Sequence, residues 1–99
     1  MNRNDIKVSM LVSTYNWKEA LELCLRSIFA QTVLPFEIVI ADDGSREDTR
    51  SLIQRLRDES PVPLKHVWQK DKGFRKTKIL NKAIVVMTGD YILQIDGDV

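Results

Sequence analysis

The sequence predicts an α/β fold, an open parallel sheet with helices on both faces. Short apolar runs alternate with amphipathic segments in the order β-α-β-α-β-α-β, which is typical of parallel strands joined by right-handed helical crossovers. The first run, residues 7–13, is mostly apolar, as expected for a strand that is covered on both faces. Turn-forming residues such as Pro35, Gly44 and the connector 60–63 separate the segments.

The first half of the chain predicts two strands and one helix. Residues 7–13 are mostly apolar and are followed by the polar loop 14–16, so they indicate a buried strand. Residues 17–30 carry apolar side chains at helical spacing, which predicts a helix that ends before Pro35. The apolar run 36–41 predicts the second strand.

The second half predicts two more helices and two more strands. Residues 49–58 and 75–87 show apolar stripes of helical period, and Gly89 is placed to end the later helix. Residues 64–69 and 90–95 are short runs that predict strands. Because all four strands are expected to be parallel, their carboxyl ends should meet at one edge of the sheet.

Composition restricts the possible classes of protein. The chain has 99 residues, 43% of them hydrophobic and 29% charged, which suits one small globular domain. A net charge of +1 gives no general attraction to nucleic acid, and the single cysteine excludes an internal disulfide. We expect a cytoplasmic protein that can lie peripherally at the inner face of the membrane.

Acidic residues follow two of the predicted strands. Asp96 and Asp98 flank a glycine after the last strand, where both carboxylates can reach one site. Mg²⁺ and Mn²⁺ prefer oxygen ligands and commonly join carboxylates to phosphates, although such a motif can also be a solvated turn. Asp42 and Asp43 follow the second strand; we expect one to brace the loop and the other to face the edge, unless both only form the turn.

Two further segments have open interpretations. Tyr15, in the loop after the first strand, could stack on a base while Ser13 or Thr14 bonds its edge, or the loop could simply begin a helix. Arg75 opens a predicted helix, where the helix dipole disfavours positive charge, so it indicates anion or base recognition or else a solvated basic face. No glycine-rich phosphate loop follows the first strand, which argues against a dinucleotide fold or an NTPase.

Together these segments resemble the N-terminal, nucleotide-sugar-binding portion of family 2 glycosyltransferases, which have the Rossmann-like GT-A fold. The resemblance covers nearly the whole chain in family order. The matching segments are 12–16, 27–32, 37–45, 73–75, 80–84, 89–92 and 96–98.

The resemblance implies a role for each candidate residue. Ser13, Tyr15 and Asp43 would hold the base, which is uracil in the family pattern of UDP-sugar donors. Arg75 would contact the base or the diphosphate. Asp96 would meet the ribose or the metal, and Asp98 would ligate the Mn²⁺ or Mg²⁺ that bridges the diphosphate.

The resemblance also implies what the chain does. Residues 1–99 would form the donor-binding half of a GT-A domain, cut after the Asp-x-Asp motif, in an enzyme that transfers a sugar with inversion to a glycan or lipid-linked acceptor. The family's catalytic base lies beyond Val99, so we expect these residues to bind donor without catalysing transfer. We also expect the last strand, as an exposed edge, to promote self-association.

Two other functions fit parts of the sequence. A phosphate-accepting receiver domain has similar size and alternation, but it needs an acidic pair after the first strand, where this chain has Ser13 and Thr14. A non-catalytic, metal-dependent nucleotide-binding module would share every feature of the donor site. Only sequence after Val99 separates that module from an enzyme.

Overall fold

The computed structural model describes residues 7–14, 18–44, 46–69, 79, 83–84 and 86–96. Its elements are β1 (Val8–Thr14), α1 (Lys18–Phe29), β2 (Glu37–Asp43), α2 (Glu47–Glu59), β3 (Leu64–Gln69) and β4 (Tyr91–Asp96). All four predicted strands and the first two predicted helices are present, with bounds that differ by at most two residues. The predicted helix 75–87 falls largely outside the described residues. Of its residues that are described, 79, 83 and 84 are helical.

The four strands form one parallel sheet in the order β3-β2-β1-β4. β1 is therefore central: the chain moves outward on one side through β2 and β3, and β4 then pairs with the other side of β1. Open α/β sheets bind ligands beyond the carboxyl ends of the strands where the winding reverses. In this sheet that point lies between β1 and β4.

One face of the sheet carries the larger core. α1 and α2 pack there because their apolar residues recur every three or four positions and so share one side of each helix. Sheet residues 10, 12, 38, 40 and 64 alternate with residues of the other face, as the period of two in a strand requires. The buried helix residues of this core are Leu21, Leu25, Ile28, Leu52, Ile53 and Leu56.

The opposite face has a smaller core. Leu11, Val39 and Ala41 contact the helical residues Ile79 and Ala83, which lie four positions apart in sequence. Helical residues therefore cover both faces of a parallel sheet, and the predicted fold class is confirmed. Neither α1 nor α2 has the length and hydrophobicity of a membrane-spanning helix, and the rest of the described chain offers no other candidate.

A buried carboxylate holds together the amino-terminal ends of the strands. Glu37 is almost completely buried at the start of β2, and its Oε2 accepts hydrogen bonds from the Ser9 hydroxyl and the Thr88 N–H, both at 2.6 Å. Its Oε1 lies 2.8 Å from Nζ of Lys65, which also donates to the carbonyl of Val86. Burial by itself raises the pKa of this carboxyl, but the hydrogen bonds from Lys65, Ser9 and Thr88 outweigh it and lower the pKa to about 2.

The segment that leads into β4 is fixed to the same end of the sheet. The Gly89 N–H donates to the Ser9 hydroxyl at 2.9 Å, and the N–H groups of Asp90 and Tyr91 both donate to the carbonyl of Lys7. A Cβ atom on Gly89 would lie 2.8 Å from Ser9 N and 2.9 Å from Lys7 O, closer than real Cβ contacts allow. A glycine is therefore required here by close packing, and this packing sets the register of β4 against β1.

Candidate functional site

The register of the sheet brings the predicted site positions to one edge. Ser13 on β1 pairs with Ala41 on one side and with Asp96 on the other, so the three form a row across the carboxyl edge. Asp43 lies two residues further along β2 and pairs with Gln69. From the usual strand spacing and rise, the Cα atoms of Asp43 and Asp96 are about 12 Å apart.

The structure describes the predicted site residues to different extents. Ser13 is buried between its two neighbouring strands. Asp43 and Asp96 are placed by their backbone pairing, while their side chains lie outside the description. The predictions for Tyr15, Arg75 and Asp98 also fall outside the described residues, so their roles stay predictions.

Metal binding is predicted only at residues whose side chains the structure does not describe. Among the described side chains, no three His, Cys, Asp or Glu residues come together as a metal site. The candidate ligands are Asp96, whose backbone lies beside Ser13 at the reversal point of the sheet, and Asp98. Paired carboxylates are a donor set that suits Mg²⁺ or Mn²⁺, so the residue chemistry fits such an ion.

The two adjacent carboxylates of β2 are distinguished by burial. The Asp42 side chain is fully buried, and its Oδ2 lies 2.9 Å from Nε2 of His66 on β3. An ionised carboxylate only accepts hydrogen bonds, so with Asp42 ionised the Nε2 atom of His66 carries the proton. The sequence predicted that one of the pair would brace the loop and the other would face the edge; Asp42 braces β2 against β3, while the side chain of Asp43 lies outside the described residues. His66 itself lies within β3.

The chain turns sharply directly after Asp43. Gly44 has a φ of 93°, in the left-handed region that glycine adopts without strain. A residue with a side chain would be strained there. β2 therefore ends at Asp43 because Gly44 redirects the backbone away from the sheet.

Charged groups surround this edge on the side of β3. Trp68, on β3 and paired with Asp42, carries the Arg50 guanidinium 5.5 Å from the centre of its ring. Lys18, at the start of α1, lies 3.6 Å from the Asp48 carboxylate at the start of α2. Sequence reasoning missed the contact between Arg50 and Trp68, since it depends on how α2 lies against β3, which no local pattern reports.

Comparison with known proteins identifies the family. Residues 9–99 match Glycosyl transferase family 2. An uncharacterized glycosyltransferase of Nostoc sp. is 32% identical over 93 residues, which is 94% of this chain and 28% of that protein. The chondroitin synthase of Pasteurella multocida is 32% identical over 99 residues, which is 99% of this chain and 10% of that protein.

The solved structures agree with this family. A mannosyltransferase from Pyrobaculum calidifontis, determined in complex with GDP-Man and Mn²⁺, superimposes with a TM-score of 0.80 at 28% identity. The match covers 93% of this chain and 27% of that one, so the chain spans about a quarter of the relative's length. The predicted partial GT-A fold is confirmed. With its matched residues, its sheet and its relatives in agreement, the chain belongs to glycosyl transferase family 2.

Proposed function

We propose that this chain is the donor-binding half, residues 1–99, of an enzyme that transfers a sugar from a nucleotide-diphosphate sugar to a glycan or lipid-linked acceptor with inversion. The observation that carries this proposal is the row formed by Ala41, Ser13 and Asp96 at the reversal point of the sheet, with Asp43 at the end of the neighbouring strand. One nucleotide sugar is long enough to contact both ends of this edge. The complex of the mannosyltransferase relative with GDP-Man and Mn²⁺ supports the same ligand class.

Each candidate residue has a proposed role in holding the donor. Ser13, Tyr15 and Asp43 hold the base, with Asp43 accepting from a ring N–H, and Arg75 contacts the base or the diphosphate. Asp96 contacts the ribose or the metal, and Asp98 ligates the divalent cation. When bound, Mn²⁺ or Mg²⁺ acts as a Lewis acid that neutralises the diphosphate leaving group.

Two further features of the proposal come from the sequence. The base is proposed to be uracil, and the test below includes guanosine nucleotides because one relative binds GDP-Man. The cytoplasm is the proposed compartment, since the chain carries a single cysteine.

Calorimetric titration tests the proposed donor site. We expect UDP or GDP to bind more tightly with Mn²⁺ than without it, and Asp98→Ala to weaken the Mn²⁺-dependent binding by at least tenfold, since even supporting residues of a metal site are worth roughly 10–100-fold in metal affinity. Affinity for the bare nucleoside should be unchanged, because it carries no phosphate for the cation to bridge.

The control for this titration is Asp58→Ala, which removes the same charge from an exposed position on α2. We expect it to bind nucleotide like the wild type. Equal binding with and without Mn²⁺, or equal losses in Asp58→Ala and Asp98→Ala, would contradict the proposed metal-bridged site.

We also propose that two copies of this chain associate through β4. In the described part of the sheet β4 pairs only with β1, and its apolar residues Tyr91, Ile92 and Leu93 are 63%, 49% and 51% exposed. An exposed apolar edge strand favours pairing with another chain.

Sedimentation of the 99-residue chain should show a dimer that Leu93→Lys dissociates. Leu23→Lys, at an apolar residue of α1 that is 71% exposed, should leave the dimer intact. A wild type that stays monomeric at all concentrations would refute this proposal.

A further inference from the structure

The end of β2 is restrained on three sides around Asp43. Before it, the buried Asp42 carboxylate is bonded to Nε2 of His66 at 2.9 Å. Beside it, the backbone of Asp43 pairs with Gln69 of β3. After it, Gly44 turns the chain with a φ of 93°.

The bond between Asp42 and His66 is the only one of these three restraints that is made by side chains. A buried carboxylate needs a partner, because an unpaired charge or acceptor inside a protein is strongly unfavourable. His66 lies one strand outward and pairs in register with Ile40, so its bond to Asp42 runs diagonally along the two strands. This diagonal bond limits sliding and splaying of β2 against β3 at the point where the strand ends.

Asp42 and Asp43 are joined by one peptide unit, so a shift of the Asp42 backbone also moves the backbone of Asp43. If His66 were lost, the Asp42 carboxylate would lose its hydrogen bond to β3 while it remains buried, so its present position at the end of β2 would be less favourable. The pairing of Asp43 with Gln69 and the turn at Gly44 would then have to adjust to the new path of the chain.

We propose that His66 is a positioning residue for donor recognition: through Asp42 it holds Asp43 where that carboxylate meets the nucleotide base. This inference rests on the proposed function, in which Asp43 contacts the base. It adds a residue on β3 that touches no part of the donor. It also assigns different roles to the two neighbouring carboxylates, one for positioning and one for contact.

A double-mutant cycle on nucleotide binding tests this inference. The wild type, Asp43→Asn, His66→Phe and the double variant are titrated with UDP, GDP and uridine in the presence of Mn²⁺. Each variant is also melted thermally. We expect His66→Phe to weaken nucleotide binding roughly tenfold, within the range of couplings measured between neighbouring residues. In the Asp43→Asn background the same change should cost less than twofold.

Comparing the affinities for uridine, for UDP and for Mn²⁺ distinguishes a misplaced base contact from a lost metal. His66→Phe should weaken uridine and UDP by the same factor, whereas the dependence on Mn²⁺ concentration should not change. His66→Gln, whose amide N–H can replace the Nε2 donor, should recover most of the lost affinity. Should His66→Phe fail to fold, the cycle is run with His66→Thr, whose hydroxyl is too short to reach Asp42.

Lys65→Met is the matched control for general destabilisation. Lys65 lies on the same strand as His66 but contacts Glu37 on the other face of the sheet. The Lys65→Met variant should have a lower melting temperature and unchanged nucleotide affinity. Three results overturn the inference. The first is a lower melting temperature for His66→Phe with unchanged nucleotide affinity, and the second is an equal loss of affinity in Lys65→Met and His66→Phe. The third is a loss in the double variant Asp43→Asn/His66→Phe that equals the sum of the losses in the two single variants. If Asp43→Ala, which removes the acceptor oxygens altogether, binds nucleotide like the wild type, the proposed base site itself is wrong, which is a separate outcome.

Discussion

Replacing Glu37 with alanine is expected to lower the free energy of unfolding by about 3 kcal/mol, the lower end of the range for removing one partner of a buried ion pair. The carboxylate accepts from Ser9 and Thr88 and pairs with Lys65, so its loss leaves all three donors without their acceptor. Lys65 is 36% exposed and can regain water, which keeps the cost near the lower limit. Urea unfolding at neutral pH, followed by circular dichroism, measures the change.

Glu47→Ala is the control for this prediction. Glu47 is 81% exposed, and its ion pair with Arg50 spans 3.6 Å at the surface. Exposed pairs contribute about 0–1 kcal/mol, so this variant should unfold nearly like the wild type. Similar losses in the two variants would show that the network around Glu37 contributes no more than a surface charge.

The elements of this fold could be predicted because they follow local periodicity. The stripe that includes Leu21, Leu25 and Ile28 recurs at helical spacing, and these three residues are buried in α1. The strands were predicted from apolar runs, and each bound is within two residues of the observed one. The meeting of strand ends at one edge was also predictable, because alternating strands and helices force the strands to be parallel.

Long-range partners could not be predicted in the same way. Glu37 bonds to Thr88, 51 positions later in sequence, and Asp42 bonds to His66, 24 positions later. Periodicity shows that a residue faces inward, but it does not show which distant residue it meets. For Glu37 the available signal was a polar residue at the start of an otherwise apolar run. For His66 there was no such signal, because β3 also contains the polar residues Lys65 and Gln69.

The order of the strands was the missing fact about the site. Alternation alone does not state whether β4 joins the sheet beside β3 or beside β1. The structure places it beside β1, where the contacts of Gly89 with Ser9 and of Asp90 with Lys7 fix its start. That choice brings Asp96 level with Ser13, so packing at the amino end of the sheet determines which polar residues meet at the carboxyl end.

Acid should remove the contribution of Glu37 to stability over a defined range of pH. The pKa of Glu37 is lowered from its usual 4.5 to about 2 in the folded protein. At this carboxyl the unfolded chain therefore binds a proton more readily than the folded one. The stability that ionised Glu37 contributes is fully present above pH 4.5 and is lost as the pH falls toward 2. Because one pKa unit corresponds to about 1.4 kcal/mol, the loss attributable to this carboxyl is about 3 kcal/mol.

Urea unfolding of wild type and Glu37→Gln between pH 6.5 and pH 2 isolates this loss from the titration of the other carboxylates. Glutamine keeps an oxygen that can accept hydrogen bonds but has no proton to gain, so the variant should begin less stable and lose less on acidification. The two stability curves should converge as the pH falls from about 4.5 to 2. Parallel curves would mean that the Glu37 carboxyl has the same pKa in the folded and unfolded chains. In that case the hydrogen bonds from Lys65, Ser9 and Thr88 would only offset the cost of its burial, without net stabilisation of the charged form.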